Sequence, residues 1–97
     1  MQDTPEPRAR LLPARPNPAR GQVELRFELQ QSGPARLSLA DAAGREVWSQ
    51  ALDQAAGRHS LTWNGRTSSG ARAASGMYYL RLETAGTRLT RRFAWLK

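Results

Sequence analysis

His59 is the one histidine of the chain, and any acid–base or metal chemistry would have to begin from it. Ser60 stands beside it and Asp53 is the nearest acid in sequence, across a turn. Side chains one apart on a strand point to opposite faces, so His59 and Ser60 cannot act as base and nucleophile. The chain has no cysteine, which excludes a disulfide framework and any thiolate site. A zinc centre needs three or four nitrogen or sulfur ligands, and one imidazole cannot supply them. No Gly-x-x-x-x-Gly-Lys phosphate loop is present either. The expectation is therefore no catalytic residue, no metal, no cofactor and no small-molecule substrate: a protein that is not an enzyme.

Charge offers a second kind of chemistry. The formal charge is +7, and Lys97 is the only lysine among fifteen basic residues. Arginine's rigid fork matches phosphate oxygens, which suggests a nucleic-acid surface. Against this, the arginines are scattered through every segment, as an Arg- and Ala-rich proteome would scatter them. Residues 22–97 hold eleven basic and six acidic residues, so +5 travels with them. The most basic element is the last one, where Arg88, Arg91, Arg92 and Lys97 gather, and Trp48 and Trp95 are placed to expose a ring each. Arg91, Phe93 and Trp95 alternate as a base-stacking face requires. In the competing readings Phe93 faces the core with Arg91 misplaced at its rim, or Arg92, Ala94 and Leu96 take the inner face, and a slip of one residue exchanges the faces. Arg88, Arg91, Arg92, Trp95 and Lys97 are the candidate partner contacts under either reading.

These residues must be held by strands, because no segment shows helical periodicity. Residues 1–21 contain five of the six prolines, at 5, 7, 13, 16 and 18. Such spacing removes backbone donors and predicts an irregular leader or linker. Pro16-Asn17-Pro18 reads as a turn into the first strand. From Gln22 the period becomes two: Val23, Leu25, Phe27 and Leu29 alternate with Glu24, Arg26 and Glu28. Breaks at Ser32-Gly33-Pro34, Asp41-Ala42-Ala43-Gly44 and Asp53-Gln54-Ala55-Ala56-Gly57 separate a hairpin, at residues 35–39 and 47–52, from a fourth strand, His59 to Trp63. A Gly/Ser/Thr-rich loop covers residues 64–76, with room for a short edge strand near 71–73. Residues 77–83 and 88–96, joined by Thr84-Ala85-Gly86-Thr87, form a terminal hairpin.

Six or seven short strands with a turn signal every eight to twelve residues predict an all-β, immunoglobulin-like antiparallel sandwich over residues 22–97, with a small barrel as the alternative. No stretch approaches the ~20 apolar residues of a membrane-spanning helix, so no membrane insertion is expected. Residues 1–7 lack the basic and apolar regions of a signal peptide; an export signal would have to lie on a longer parent chain.

Several motifs carry a family likeness. Pro16-Asn17-Pro18, then Asp41, Gly44, Arg45 and Val47 in an Asp-x-x-Gly-Arg-x-Val pattern, then Gly57-x-His59, Trp63-Asn64-Gly65-Arg66, Gly70, Ser75-Gly76-Met77-Tyr78, Arg81-Leu82, Gly86 and Lys97 follow in order. This series resembles the immunoglobulin-like domain at the C-terminus of the flagellar hook-capping scaffold protein and of many secreted bacterial proteases. Related C-terminal domains serve in some bacterial phyla as sorting signals for secretion and cell-surface attachment, and the Trp-Asn-Gly-Arg with its long loop looks more like the hook-capping type. The resemblance implies a non-catalytic C-terminal accessory module, extracytoplasmic or at the cell surface, whose partner is protein: the parent chain or a secretion or assembly component. Weak single-stranded nucleic-acid binding, a purely structural cap and a gene fragment are the alternatives.

The residues singled out have simpler structural expectations. Trp63 is the expected core anchor between two sheets roughly 10 Å apart. Asn64-Gly65 is a tight turn, with Gly65 at positive φ and Asn64 bonding to its own backbone; in the resembled family this position is Asp or Asn. Gly44, Gly76 and Tyr78 complete the core-and-turn set. The inward set also includes Leu37, Leu39, Val47, Leu52, Leu61, Tyr78 or Tyr79, and Leu82.

Overall fold

The computed structural model describes residues 9–84 and 86–97, and within them the chain is all strand and turn. The prolines at 5 and 7 and the start of the leader lie outside the described residues, as does Ala85 of the last turn. Eight strands follow in order: β1 (Ala9–Leu11), β2 (Arg15–Arg20), β3 (Gln22–Leu29), β4 (Gly33–Ala40), β5 (Glu46–Gln54), β6 (Gly57–Trp63), β7 (Gly76–Thr84) and β8 (Thr87–Leu96). One layer sets β6 on one side of β3, with β1 and β2 on the other; the second runs β8-β7-β4-β5. β2 pairs with both β3 and β8 and so joins the layers into a sandwich closed along one flank.

Alternation sets the core. On β3, Val23, Leu25, Phe27 and Leu29 are buried while Glu24, Arg26 and Glu28 are not. Directly paired residues of antiparallel strands share a face, so the registers Leu37↔Leu82, Leu39↔Leu80 and Tyr78↔Phe93 build the opposing apolar layer. Of the two tyrosines, Tyr78 is buried and Tyr79 half-buried. Val47, Leu52 and Leu61 are only half-buried, although expected inside. They sit on β5 and β6, which among the described residues have a single neighbouring strand each, so one side of each side chain lacks a flanking strand to pack on.

The strands exceed the six or seven expected because part of the leader is not irregular. Ala9, Arg10 and Leu11 contain no proline and pair with Leu29, Glu28 and Phe27. Pro16 and Pro18 lie within β2 and do not form a turn before it. β2 tolerates them because its ladder contacts fall on other residues: Arg15↔Glu24 and Arg20↔Gln22 toward β3, Ala19↔Trp95 and Arg20↔Leu96 toward β8. Between the prolines, the Asn17 side-chain oxygen accepts the N–H of Ala94 at 2.9 Å, supplying the acceptor that the β8 backbone would otherwise lack there. Composition alone misled because a proline forbids only its own donor, not a strand.

Candidate partner-binding surfaces

An aromatic cluster fixes one end of the sandwich. Trp63 is 2% exposed, with its ring 4.9 Å from Trp95 and 5.9 Å from Tyr78, which in turn stacks on Phe93. Each polar tip is satisfied locally: the Trp63 indole N–H donates to the Arg66 carbonyl at 2.8 Å, and the Tyr78 hydroxyl to the Ala74 carbonyl at 2.6 Å. Burial, reinforced by the Asp41 carboxylate, holds the Tyr78 pKa above the usual phenol value. Both indole and hydroxyl tie the 64–76 loop to the core.

That loop is more ordered than its Ser and Gly content suggests. Asn64 Oδ1 accepts the Arg66 N–H at 3.0 Å, and Gly65 has φ +84°. Backbone bonds Thr67 to Ala71, Gly70 to Thr67 and Ala73 to Gly65 close it on itself, with one bridge between Arg66 and Arg72 and with Ala73 buried. Gly76 opens β7 opposite Trp95.

The Asp-x-x-Gly-Arg turn is equally defined. Asp41 Oδ1 accepts the N–H groups of Ala43 and Arg45 at 3.0 Å each, the Arg45 guanidinium approaches Oδ2 at 3.2 Å, and Gly44 has φ +85°. The Arg45 N–H, then that of Ala43 and the Arg45 charge, hold the Asp41 carboxyl below its usual range. Glu46 is likewise lowered, first by its hydrogen bond from Arg36.

The candidate contacts do not all lie on one face. Phe93 and Trp95 point inward, Trp95 being only 4% exposed, which corrects the expectation of an exposed ring. The register decides this: Trp95 pairs across Gly76 and Ala19, and its ring occupies the space beside Gly65. Arg91 shares the inward side at its rim and donates from Nε to the Leu11 carbonyl at 2.9 Å, fastening β1. A stacking face of Arg91, Phe93 and Trp95 therefore does not exist. Arg92, paired across Tyr79, and Arg88, paired across Glu83, project outward; Arg88 reaches Glu83 at 3.4 Å. Lys97 is exposed, its backbone N–H bound to the Ser75 hydroxyl at 2.7 Å. Trp48 is half-buried on β5.

His59 faces Phe27 across the β3–β6 pair and its Nε2 meets the Ala55 carbonyl at 2.6 Å, so it bonds backbone and not Asp53. Among the described residues no group of His, Asp and Glu is arranged to hold a metal, and no helix is long and apolar enough to cross a membrane.

The profile of the FlgD Ig-like domain family matches residues 16–87. The chain belongs to this family. The match begins at the Pro-Asn-Pro of β2, inside the segment expected to be leader. As a FlgD Ig-like domain the chain is a non-catalytic accessory fold. No curated protein matches it in sequence. Among solved structures, FlgD of Xanthomonas campestris, described as hook capping and essential for flagellar assembly, aligns at 25% identity with a TM-score of 0.62, over 90% of this chain and 66% of that one. PorU of Porphyromonas gingivalis, in its dimeric latent form, aligns at 18% identity and a TM-score of 0.75, over 91% of this chain and 9% of that one. PorZ of the same organism, described as an essential surface component of the type-IX secretion system, aligns at 23% identity and 0.61, over 90% and 11%. The FlgD Ig-like domain described here thus spans a small part of PorU and PorZ, and their likeness is one of fold.

Proposed function

We propose that this domain is an accessory module that docks onto protein, either its own parent chain or a secretion or assembly component, in an extracytoplasmic or cell-surface setting. The observation that carries the reading is the open flank: among the described residues β5 and β6 each pair with one strand, and opposite the flank closed by β2 their outer edges carry no ladder partner. At its start β5 is covered, where the Ser68 N–H meets the Val47 carbonyl at 2.9 Å; the rest is available for an added strand. The outward Arg88 and Arg92 and exposed Lys97 give the terminal hairpin a second, basic contact surface. The hook-capping and secretion-system roles of the proteins with this fold supply the direction. The folded unit in this reading includes β1 and β2, so residues 9–97 are the docking domain.

Two measurements test it. Fused to the C-terminus of a periplasmic reporter in a bacterium with a type-IX system, the domain is expected to deliver the reporter to the surface; a folded, intact fusion left in the periplasm rules out sorting. Photocrosslinkers at Ala51 of β5 and Ser60 of β6 are expected to join a protein partner in the exporting cell, whereas one at Ser32 is not. Equal labelling at all three sites, or none, overturns edge docking.

A further inference from the structure

Between the Asp41–Arg45 turn and the Arg72–Gly76 stretch lies a cleft of about 450 Å³, within the range of sites that hold small groups. Val47 and Tyr78 line it, and Met77, 38% exposed, also borders it. Its polar groups are unevenly committed. Both oxygens of Asp41 are occupied by the turn's own N–H groups and by Arg45. The Ala74 carbonyl is taken by Tyr78. The Ser75 oxygen accepts the Lys97 N–H, which leaves its own O–H to donate. Arg72 is exposed and, among the described residues, its guanidinium has no acidic partner. Arg45, whose side chain is 80% exposed, keeps donors beyond those spent on Asp41. The free groups are thus donors on opposite walls, with an apolar thioether and Ala42 beside them.

We infer that this cleft receives an acidic side chain from the docking partner, in an extended segment that places Glu or Asp next to an apolar residue. A carboxylate between Arg72 and Arg45 would accept charge-assisted bonds from both walls, while its apolar neighbour covers Met77 and Val47. The inference rests on the docking reading and names the partner chemistry of a surface distinct from the open edges.

The test is an amide-resolved NMR titration of the whole chain with acetyl-Leu-Glu-Glu-Leu-amide and its Gln-Gln counterpart. Saturable shifts clustered at residues 41–47 and 72–78 are expected with the Glu peptide, weaker by about tenfold or more with the Gln peptide. Arg72→Glu is expected to abolish them while leaving the thermal midpoint unchanged, and Arg72→Lys to restore part of the affinity. Equal binding of both peptides, shifts on the Arg88 and Arg92 face instead, or indifference to Arg72→Glu overturns the inference. Peptide binding here together with failed crosslinks at Ala51 and Ser60 would remove edge docking and keep the cleft; the reverse pattern would do the opposite.

Discussion

The ring of Trp95 fills the space that a side chain at Gly65 would need: a methyl built there overlaps the indole. Gly65 also has φ +84°, where an L-residue is strained. Gly65→Ala is therefore expected to lose about 2–5 kcal/mol from the two causes together, read by urea titration. Trp95→Leu in the same chain makes room, so the double variant should lose less than the sum of the two singles. Strict additivity would show that the ring does not press on this turn.

Trp63→Ala should cost about 3–5 kcal/mol, because it empties a fully buried site, removes two ring contacts and leaves the Arg66 carbonyl without its indole donor. For a domain of this size that is a large share of the net stability. A loss below about 1 kcal/mol by urea titration would contradict the described packing.

Asn17→Ala should cost about 1 kcal/mol by leaving the Ala94 N–H without its acceptor, whereas Asn17→Asp, which keeps an oxygen there, should stay close to the parent. Hydrogen exchange at the Ala94 amide checks this directly. Exchange unchanged in Asn17→Ala would mean that water serves equally well.

Acid should loosen the Asp41 turn. The Arg45 N–H bonded to Asp41, and the Arg36 guanidinium bonded to Glu46, hold both carboxyls below their ordinary values in the folded state. Their contribution is fully present above those values and is lost as pH falls through the lower folded ones. The thermal midpoint should thus decline below about pH 4, and Asp41→Asn, which removes one of the titrating groups, should flatten that decline. An Asp41→Asn profile parallel to the parent's would place the acid sensitivity elsewhere.

Much of this was legible from alternation. The strict period of β3 reports its burial directly, and the Asp41 and Asn64 turns follow from residue types that bond their own backbone. What sequence could not show depends on partners far along the chain. Whether Phe93 and Trp95 face in depends on the registers with Tyr78, Gly76 and Ala19, and a one-residue slip would have exposed them. Leu52 and Leu61 look like core residues, yet their strands are edges, a property of topology and not of the local pattern. The Arg45–Arg72 cleft joins residues from two separate turns that only the fold brings together.

The parallel pairing of β2 with β8 has a mechanical meaning. Because the two strands run in the same direction, the chain entering β2 at Arg15 and the chain leaving β8 at Leu96 depart toward opposite ends of the pair. Tension along the polypeptide then shears the contact lengthwise, so the Ala19 and Arg20 pairings and the Asn17–Ala94 bond bear the load together and do not peel apart one at a time. A module strung between a heavy cargo on one side and an anchor on the other would, beyond the three-residue β1 pairing, meet the pull at β2 and β8 in shear.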